Sequence, residues 1–334
     1  MRPNIFEIST KELTQDGFIR WLLEWADHSN KEYNSTLNRC GVDFVKLLIG
    51  KQYNNTIDVK KVEAGRQREK IDIWAEVNDE YYIIIEDKTF TGEHSNQLEI
   101  YKKKALKLCK KNGRKLVCIY LKTGTQSKSS LEEIRKKGFA TVERFELINL
   151  FKDYDIKNDI FIDFVEKINN LENAEKAYET KKIKDWEPDR PWPCWTGFYH
   201  FLDDMQIDID WWGYVSNQSG GFLGYFFHYK YWKKHEVFLQ IEGENGTLRF
   251  RISDIPKNNR KKVRDEWHGI VMEKASKKKK NEIKKPPRFG LGAGMTVAIV
   301  ERKDWLGDDN DIINKEKVIE KLKEYERFLD YCVK

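Results

Sequence analysis

Two short apolar segments carry ionisable side chains where a buried strand normally has none. They are Ile71–Trp74 and Tyr81–Lys88. Side chains along a strand alternate between two faces, so Glu86 and Lys88 share one face of the second segment. If the two segments pair as a hairpin, Asp72 of the first lies beside Glu86. Two carboxylates and one ammonium then meet at one place, which is the minimum set of groups for holding Mg²⁺ and activating a water for phosphodiester cleavage.

A helix expected after these segments carries two polar side chains four residues apart, Gln97 and Tyr101. Residues at this spacing share one helix face, so both can be directed at the same site. Together, these features resemble the signature of the PD-(D/E)xK nuclease superfamily, and the Gln-x-x-x-Tyr spacing is similar to that of its exonuclease-type branch. The residues that carry the resemblance are Asp72, Glu86, Asp87, Lys88, Gln97 and Tyr101. It covers about residues 10–150, and it departs from the family pattern where Ile71 replaces a Pro that is not a ligand.

The resemblance and the chemistry of the side chains together imply a role for each residue. Asp72 and Glu86 are expected to bind Mg²⁺ through carboxylate oxygens, with the backbone carbonyl of Asp87 as a third ligand, and Mn²⁺ is expected to substitute. Lys88 would position or help to deprotonate the attacking water, or stabilise charge on phosphate oxygens. Gln97 and Tyr101 would contact phosphate or orient the site.

A further carboxylate from the first helix often joins the metal in this superfamily. Asp16, at the start of a helix expected from Thr14 to Ala26, and Glu24 of the same helix are the candidates here, and Glu63 on the strand that precedes Asp72 is a further one. The alternative for Asp16 is a favourable interaction with the helix dipole in the first turn. His94 would contact phosphate or begin the following helix.

A simpler interpretation of the same residues is a surface hairpin with an ordinary Glu–Lys ion pair, which contributes little. Both the apolar context and the following Gln-x-x-x-Tyr pair favour the metal site.

The length suggests two domains, or one domain with a large extension, and the composition agrees with a soluble protein. The chain has 334 residues, 40% of them hydrophobic, and a net charge of +6, which is compatible with a nucleic-acid partner and equally with a lysine-rich surface. Its five cysteines are odd in number and lack Cys-x-x-Cys spacing, so we expect free thiols in a reducing cytoplasm. No apolar run reaches the ~18 residues of a membrane span.

The periodic segments predict an α/β fold with a restriction-endonuclease-like core, in which a mixed central sheet is flanked by helices. We expect this core over residues 1–155, a helical connector over 156–184, and a β-rich, aromatic C-terminal domain with a closing helix over 185–334. Strands are predicted at 56–64 (closed by Gly65), 70–77, 81–88 and 116–121, and a helix at 95–111.

Two features of the C-terminal part admit alternatives. Its tryptophans, among them Trp186, Trp195 and Trp232, suit core packing better than base stacking. The lysine-rich segment Lys274–Arg288 suits a solvated loop, or a clamp on nucleic acid.

Three functions therefore compete. The first is a Mg²⁺-dependent nuclease, with DNA favoured over RNA, in prokaryotic defence or nucleic-acid processing as the family resemblance implies. The second is a non-catalytic nucleic-acid-binding or regulatory protein on the same fold. The third, compatible with the first, is a module whose C-terminal domain binds a protein partner or a second copy of the chain.

Overall fold

The computed structural model of the chain describes residues 2–54, 56–68, 70–93, 96–186, 190–205, 209–217, 220–243 and 245–334. The chain divides into two compact units. One comprises Met1–Gln126 and Ser130–Asn173, and the other comprises Ser127–Ser129 and Ala174–Lys334. The domain boundaries expected from the sequence stay a prediction.

The first unit is a five-stranded mixed sheet with helices on both faces. Its strands are β1 (Val62–Arg68), β2 (Ile71–Val77), β3 (Tyr81–Lys88), β4 (Lys115–Lys122) and β5 (Ala140–Glu143). Its helices are α1 (Ile5–Ile8), α2 (Glu12–Trp25), α3 (Ser35–Gly50), α4 (Gln97–Asn112), α5 (Lys128–Lys136, whose first two residues belong to the second unit), α6 (Arg144–Phe151) and α7 (Asp159–Lys176). The sheet order is β1–β2–β3–β4–β5, antiparallel through β3 and parallel from β3 to β5. The predicted mixed sheet is confirmed.

The hairpin that joins β2 to β3 follows from local sequence. Asn78, Asp79 and Glu80 form its turn. The first two have φ angles of 52° and 57°, values that Asn and Asp tolerate best after glycine. The register pairs Ile73 with Ile85 and Trp74 with Ile84. All eight residues of β3 are buried, because β3 pairs with β2 and β4 at its edges and helices cover both faces of the sheet.

The two faces of this sheet have separate cores. On one face, Ile83 and Ile85 of β3 pack with apolar residues of α2, α3, α6 and α7. On the other face, Tyr82 and Ile84 pack with Leu98 and Tyr101 of α4 and with residues of α5. The ends of β2 and β3 are therefore covered by α2 on one side and α4 on the other.

Several predicted boundaries in this unit are wrong. Helix α2 begins at Glu12, with Lys11 as its N-cap, so Thr14 does not cap it. The strand expected at 56–64 is β1, which begins later and continues past Gly65. Gly65 does not end the strand. It makes room for the indole of Trp74, since an added Cβ would lie 2.5 Å from that ring.

The second unit contains a five-stranded antiparallel sheet, so the β-rich prediction is confirmed. Its strands are β6 (Ile209–Val215), β7 (Phe222–Trp232), β8 (His235–Glu242), β9 (Thr247–Ile252) and β10 (Met295–Val300), in the order β10–β9–β8–β7–β6. Its helices are α8 (Pro193–Asp204), α9 (Arg260–Lys277), α10 (Arg302–Trp305) and α11 (Lys315–Val333). The sequence pattern had not indicated β6, α8 or α9.

The C-terminal aromatic residues form a core, as expected. Trp186, Trp195 and Trp232 are buried together in one apolar cluster. The lysine-rich segment is not wholly a loop, because Lys274 and Lys277 belong to α9, where Lys277 pairs with Glu273. Among the described residues, no helix combines the length and the apolarity that crossing a membrane requires.

Candidate active site

The carboxyl end of β3 buries three consecutive ionisable residues. Glu86 and Asp87 are each 1% exposed, and Lys88 is 8% exposed. Strand alternation directs Glu86 and Lys88 to the face covered by α4, and Asp87 to the face covered by α2. A buried charge is costly unless it is paired, so each group needs a partner at this point.

The Lys88 ammonium lies among four oxygen atoms. Its Nζ is 2.6 Å from Oε1 of Glu86, 3.6 Å from Oδ2 of Asp72 and 3.9 Å from Oε2 of Glu12. It also donates a hydrogen bond of 3.0 Å to the backbone carbonyl of Asp87. Burial acts to lower the pKa of Lys88, but the charges of Glu86 and Asp72 outweigh burial and raise it. The predicted Asp72, Glu86 and Lys88 are therefore brought together in space.

Burial and neighbouring negative charge disfavour the ionised forms of two carboxylates in this cluster, Glu86 and Asp16. Burial, and next the negative charge of Asp72, raise the pKa of Glu86 to about 7, although Lys88 acts in the opposite direction. Burial and Asp72 likewise raise the pKa of Asp16 to about 6. Oε1 of Glu86 is satisfied by the Lys88 ammonium at 2.6 Å, whereas Oε2 of Glu86 and Oδ1 of Asp16 have no hydrogen-bond partner among the described residues. Such buried oxygen atoms can accept a cation.

The Asp87 side chain is anchored on the opposite face of the sheet. Gln15 of α2 donates from Nε2 to Oδ1 of Asp87 at 2.6 Å. The Oε1 atom of the same Gln15 accepts hydrogen bonds from Lys167 at 3.1 Å and from Thr123 at 3.0 Å. Burial, and next the charge of Asp16, raise the pKa of Asp87. The side chain of Asp87 therefore points away from the Lys88 ammonium, and its backbone carbonyl points towards it.

Helix α4 brings its first turn to the same end of the sheet. Gln97 donates from Nε2 to the hydroxyl oxygen of Tyr101 at 2.7 Å. Burial raises the pKa of Tyr101, and the charges of Glu86 and Asp72 contribute further, which indicates that the phenol faces the carboxylates. His94, the other candidate of this segment, lies outside the described residues.

The first-helix carboxylate nearest to Lys88 is one that sequence reasoning missed. Glu12, the first residue of α2, accepts hydrogen bonds at Oε1 from the Thr89 backbone at 3.1 Å and from the Thr91 hydroxyl at 2.8 Å. Acidic residues are favoured in the first turn of a helix, which could have indicated Glu12. The predicted helix began at Thr14, however, so Glu12 lay outside it. The other two candidates, Glu24 and Glu63, lie elsewhere. Glu24 pairs with Arg20, and Glu63 is exposed on β1.

These groups fit Mg²⁺ better than a metal that needs a closed protein cage. Among the described residues, no group of three or more His, Cys, Asp or Glu side chains is arranged to hold a metal ion. The available donors are the carboxylates of Asp72 and Glu86 with the carbonyl of Asp87, and all are hard oxygens. Mg²⁺ keeps several water ligands and takes one or two carboxylates from the protein, so this small donor set suits it.

The fold and this site define a nuclease-like protein, and comparison with known families agrees. A family model of the PD-(D/E)XK nuclease superfamily matches residues 3–182, more than half of the chain. The chain belongs to this superfamily, so the resemblance is confirmed, while its placement near the exonuclease-type branch stays a prediction. Comparisons with curated proteins and with solved structures return no significant match.

Proposed function

We propose that the chain is a metal-dependent nuclease that hydrolyses phosphodiester bonds in DNA. The observation that carries the proposal is the set of oxygens around the buried Lys88 ammonium, contributed by Glu86, Asp72 and the carbonyl of Asp87. Clustered buried charges destabilise a fold, and strongly shifted pKa values concentrate at functional sites. An ordinary ion pair at the protein surface would leave its side chains exposed, whereas Glu86 and Lys88 are buried.

The metal would be held by Asp72 and Glu86 through their carboxylates and by Asp87 through its carbonyl, with Asp16 contributing from α2. When bound, Mg²⁺ supplies a Lewis acid and lowers the pKa of a water ligand, and we expect Mn²⁺ to replace it. Oε2 of Glu86 and Oδ1 of Asp16 are buried without a hydrogen-bond donor among the described residues, which supports their use as ligands to such an ion.

The protein's own groups position the substrate and respond to its charge. The raised pKa of Lys88 keeps its ammonium protonated at neutral pH. This state suits the stabilisation of negative charge that develops on phosphate oxygens, and it favours that role over proton abstraction. The hydrogen-bonded pair of Gln97 and Tyr101 would orient a phosphate beside the carboxylates.

Membership of the nuclease superfamily supports a nucleic-acid substrate, and we propose DNA as the substrate in preference to RNA. Defence or nucleic-acid processing in a prokaryote is the corresponding biological role.

The test is a cleavage assay on the purified full chain. Duplex DNA, single-stranded DNA and RNA are each incubated with Mg²⁺, with Mn²⁺ and with EDTA. Asp72→Asn and Glu86→Gln keep side-chain size but remove the anionic charge, so each should lower Mg²⁺-dependent cleavage by about two orders of magnitude or more.

Matched controls are Asp58→Asn and Glu32→Gln, which alter exposed carboxylates of the same unit. These variants should cut as the parent does. If the parent cuts no substrate with either metal, the chain is a non-catalytic protein on a nuclease fold, and if the two site variants cut normally the site assignment is wrong.

A further inference from the structure

The outer side of α4 forms a groove that is lined almost entirely by lysines. A single acidic side chain, that of Glu99, and the half-exposed Leu106 share it. The lysines that line the groove are Lys102, Lys103, Lys107, Lys110, Lys136 and Lys137. The groove lies on the helix whose first turn holds Gln97 and Tyr101.

Three of these lysines are engaged within the protein. Lys102 donates from Nζ to the carbonyl of Lys137 at 3.0 Å, which ties α4 to the end of α5. Lys137 forms an ion pair with Glu93, and Lys136 forms one with Glu133 at 2.7 Å. These lysines build the wall of the groove.

The other three lysines, Lys103, Lys107 and Lys110, form what we call the lysine stripe. All three are exposed, and none makes an ion pair with any residue that the structure describes. Their spacing of four and three residues places them on one face of α4. Like charges at this spacing destabilise a helix by a few tenths of a kcal/mol per pair, so the stripe is not there to stabilise α4.

We infer that the lysine stripe binds the phosphodiester backbone of the nucleic-acid substrate, outside the bond that is cleaved. This inference rests on the proposed function. Seven residues of α-helix separate Lys103 from Lys110, a rise of about 10 Å. One strand of duplex DNA carries a phosphate every ~3.4 Å along its axis, so the stripe spans the rise of about three nucleotides.

The position of α4 beside the candidate site allows one substrate to reach both Lys88 and the lysine stripe. Tyr101 of α4 faces Glu86 and Asp72, whereas the stripe lies on roughly the opposite, outer face of the helix, and Lys110 is about 14 Å beyond Tyr101 along the helix axis. Substrate that places a phosphodiester at Lys88 has further phosphates on both sides, within this range. Lysine contacts to phosphate carry no sequence information, so binding through the stripe should be sequence-independent.

The experiment compares the salt dependence of binding between the parent and the triple variant Lys103→Gln/Lys107→Gln/Lys110→Gln. Fluorescence anisotropy with a labelled 30-bp duplex, in EDTA to prevent cleavage, gives Kd between 50 and 200 mM KCl. Gln has nearly the helix propensity of Lys, so α4 should remain folded. Three lost phosphate contacts reduce the slope of log affinity against log salt by about 2.7, so the parent should lose about 40-fold more affinity than the variant over this range.

A matched control removes the same charge elsewhere in the unit. Lys31→Gln/Lys46→Gln/Lys152→Gln alters exposed lysines on or beside α3 and α6, which pack on the face of the sheet opposite α4. This control should keep the parent's slope. In single-turnover cleavage with Mg²⁺, the stripe variant should need more DNA for half-saturation but reach the parent's rate at saturation.

The outcomes separate this inference from the proposed function. If the parent cuts DNA and the stripe variant keeps the parent's salt slope, the inference is wrong and the proposed function stands. An equal loss in the control would also overturn it, because the effect would then be one of net charge. A parent that neither binds nor cuts DNA would overturn both.

Discussion

Replacing Glu86 by Gln should make the protein more stable at neutral pH, although it removes an ion pair. Burial raises the pKa of Glu86 to about 7 in the folded protein, against an ordinary value of 4.5. The unfolded chain therefore releases this proton near pH 4.5, whereas the folded protein keeps it until about pH 7. Stability from the protonated form is fully present below pH 4.5 and is lost as the pH rises to 7.

The size of the effect follows from the difference between the two pKa values. Each unit corresponds to ~1.4 kcal/mol, so the ionised Glu86 costs the folded state about 3 kcal/mol above pH 7. This value already includes the attraction of Lys88, which acts to lower the pKa. Gln is neutral at every pH and avoids the cost. For a unit of this size, about 3 kcal/mol raises the Tm by roughly 6–12 °C.

Scanning calorimetry in EDTA from pH 5 to pH 8 measures both consequences. The parent should lose stability as the pH rises through this range, and Glu86→Gln should show a higher Tm at pH 8 and a weaker pH dependence. The remaining dependence belongs to the other buried carboxylates of the site, Asp16, whose pKa is raised to about 6, and Asp87, whose pKa is also raised; their contributions have the same sign. Glu99→Gln changes an exposed carboxylate on α4 and should melt as the parent does. A Glu86→Gln protein that melts below the parent at pH 8 with the parent's pH profile would refute this reasoning.

Two further substitutions test other parts of the structure. Lys88→Ala should slow single-turnover DNA cleavage by at least about 100-fold, or 2.7 kcal/mol of barrier, because the ammonium matters most as phosphate charge develops. The affinity of this variant for DNA in EDTA should change little. A salt-dependent loss of affinity, with no cleavage by the parent, would instead indicate a binding protein. Gly65→Ala should destabilise the first unit by about 1–3 kcal/mol, measured by urea unfolding, because its Cβ would lie 2.5 Å from the Trp74 ring. Gly50→Ala, at the end of α3, is the control, since no described atom beyond its own stretch of helix lies within 4 Å of its Cβ position. An equal loss there would show that packing against Trp74 is not the cause.

The parts of the site that sequence predicted are those fixed by short-range geometry. Asp72, Glu86 and Lys88 belong to one hairpin, whose three-residue turn and strand alternation determine which side chains share a face. Gln97 and Tyr101 are related by one helical turn. No knowledge of distant contacts is needed for these relations.

The groups that sequence did not predict depend on contacts between distant segments. Lys167 and Gln15 are 152 positions apart, yet they meet beneath Asp87. Glu12 approaches Lys88 only because α2 packs across the end of β3, and Thr89 and Thr91 then fix its carboxylate. A pattern within one segment cannot indicate which residue of another segment will be closest.

The end of strand β1 was also mispredicted because it depends on a contact with another segment, at Gly65. Glycine usually weakens a strand, so the sequence suggested an end at this position. In β1 the glycine is paired with Trp74 across the ladder, and the large indole occupies the space where its side chain would be. Trp74 also stacks on Tyr82 of β3, so the strand continues because its neighbour supplies the packing that glycine lacks. The end of the predicted strand was wrong because strand propensity is decided by cross-strand partners, not by the residue alone.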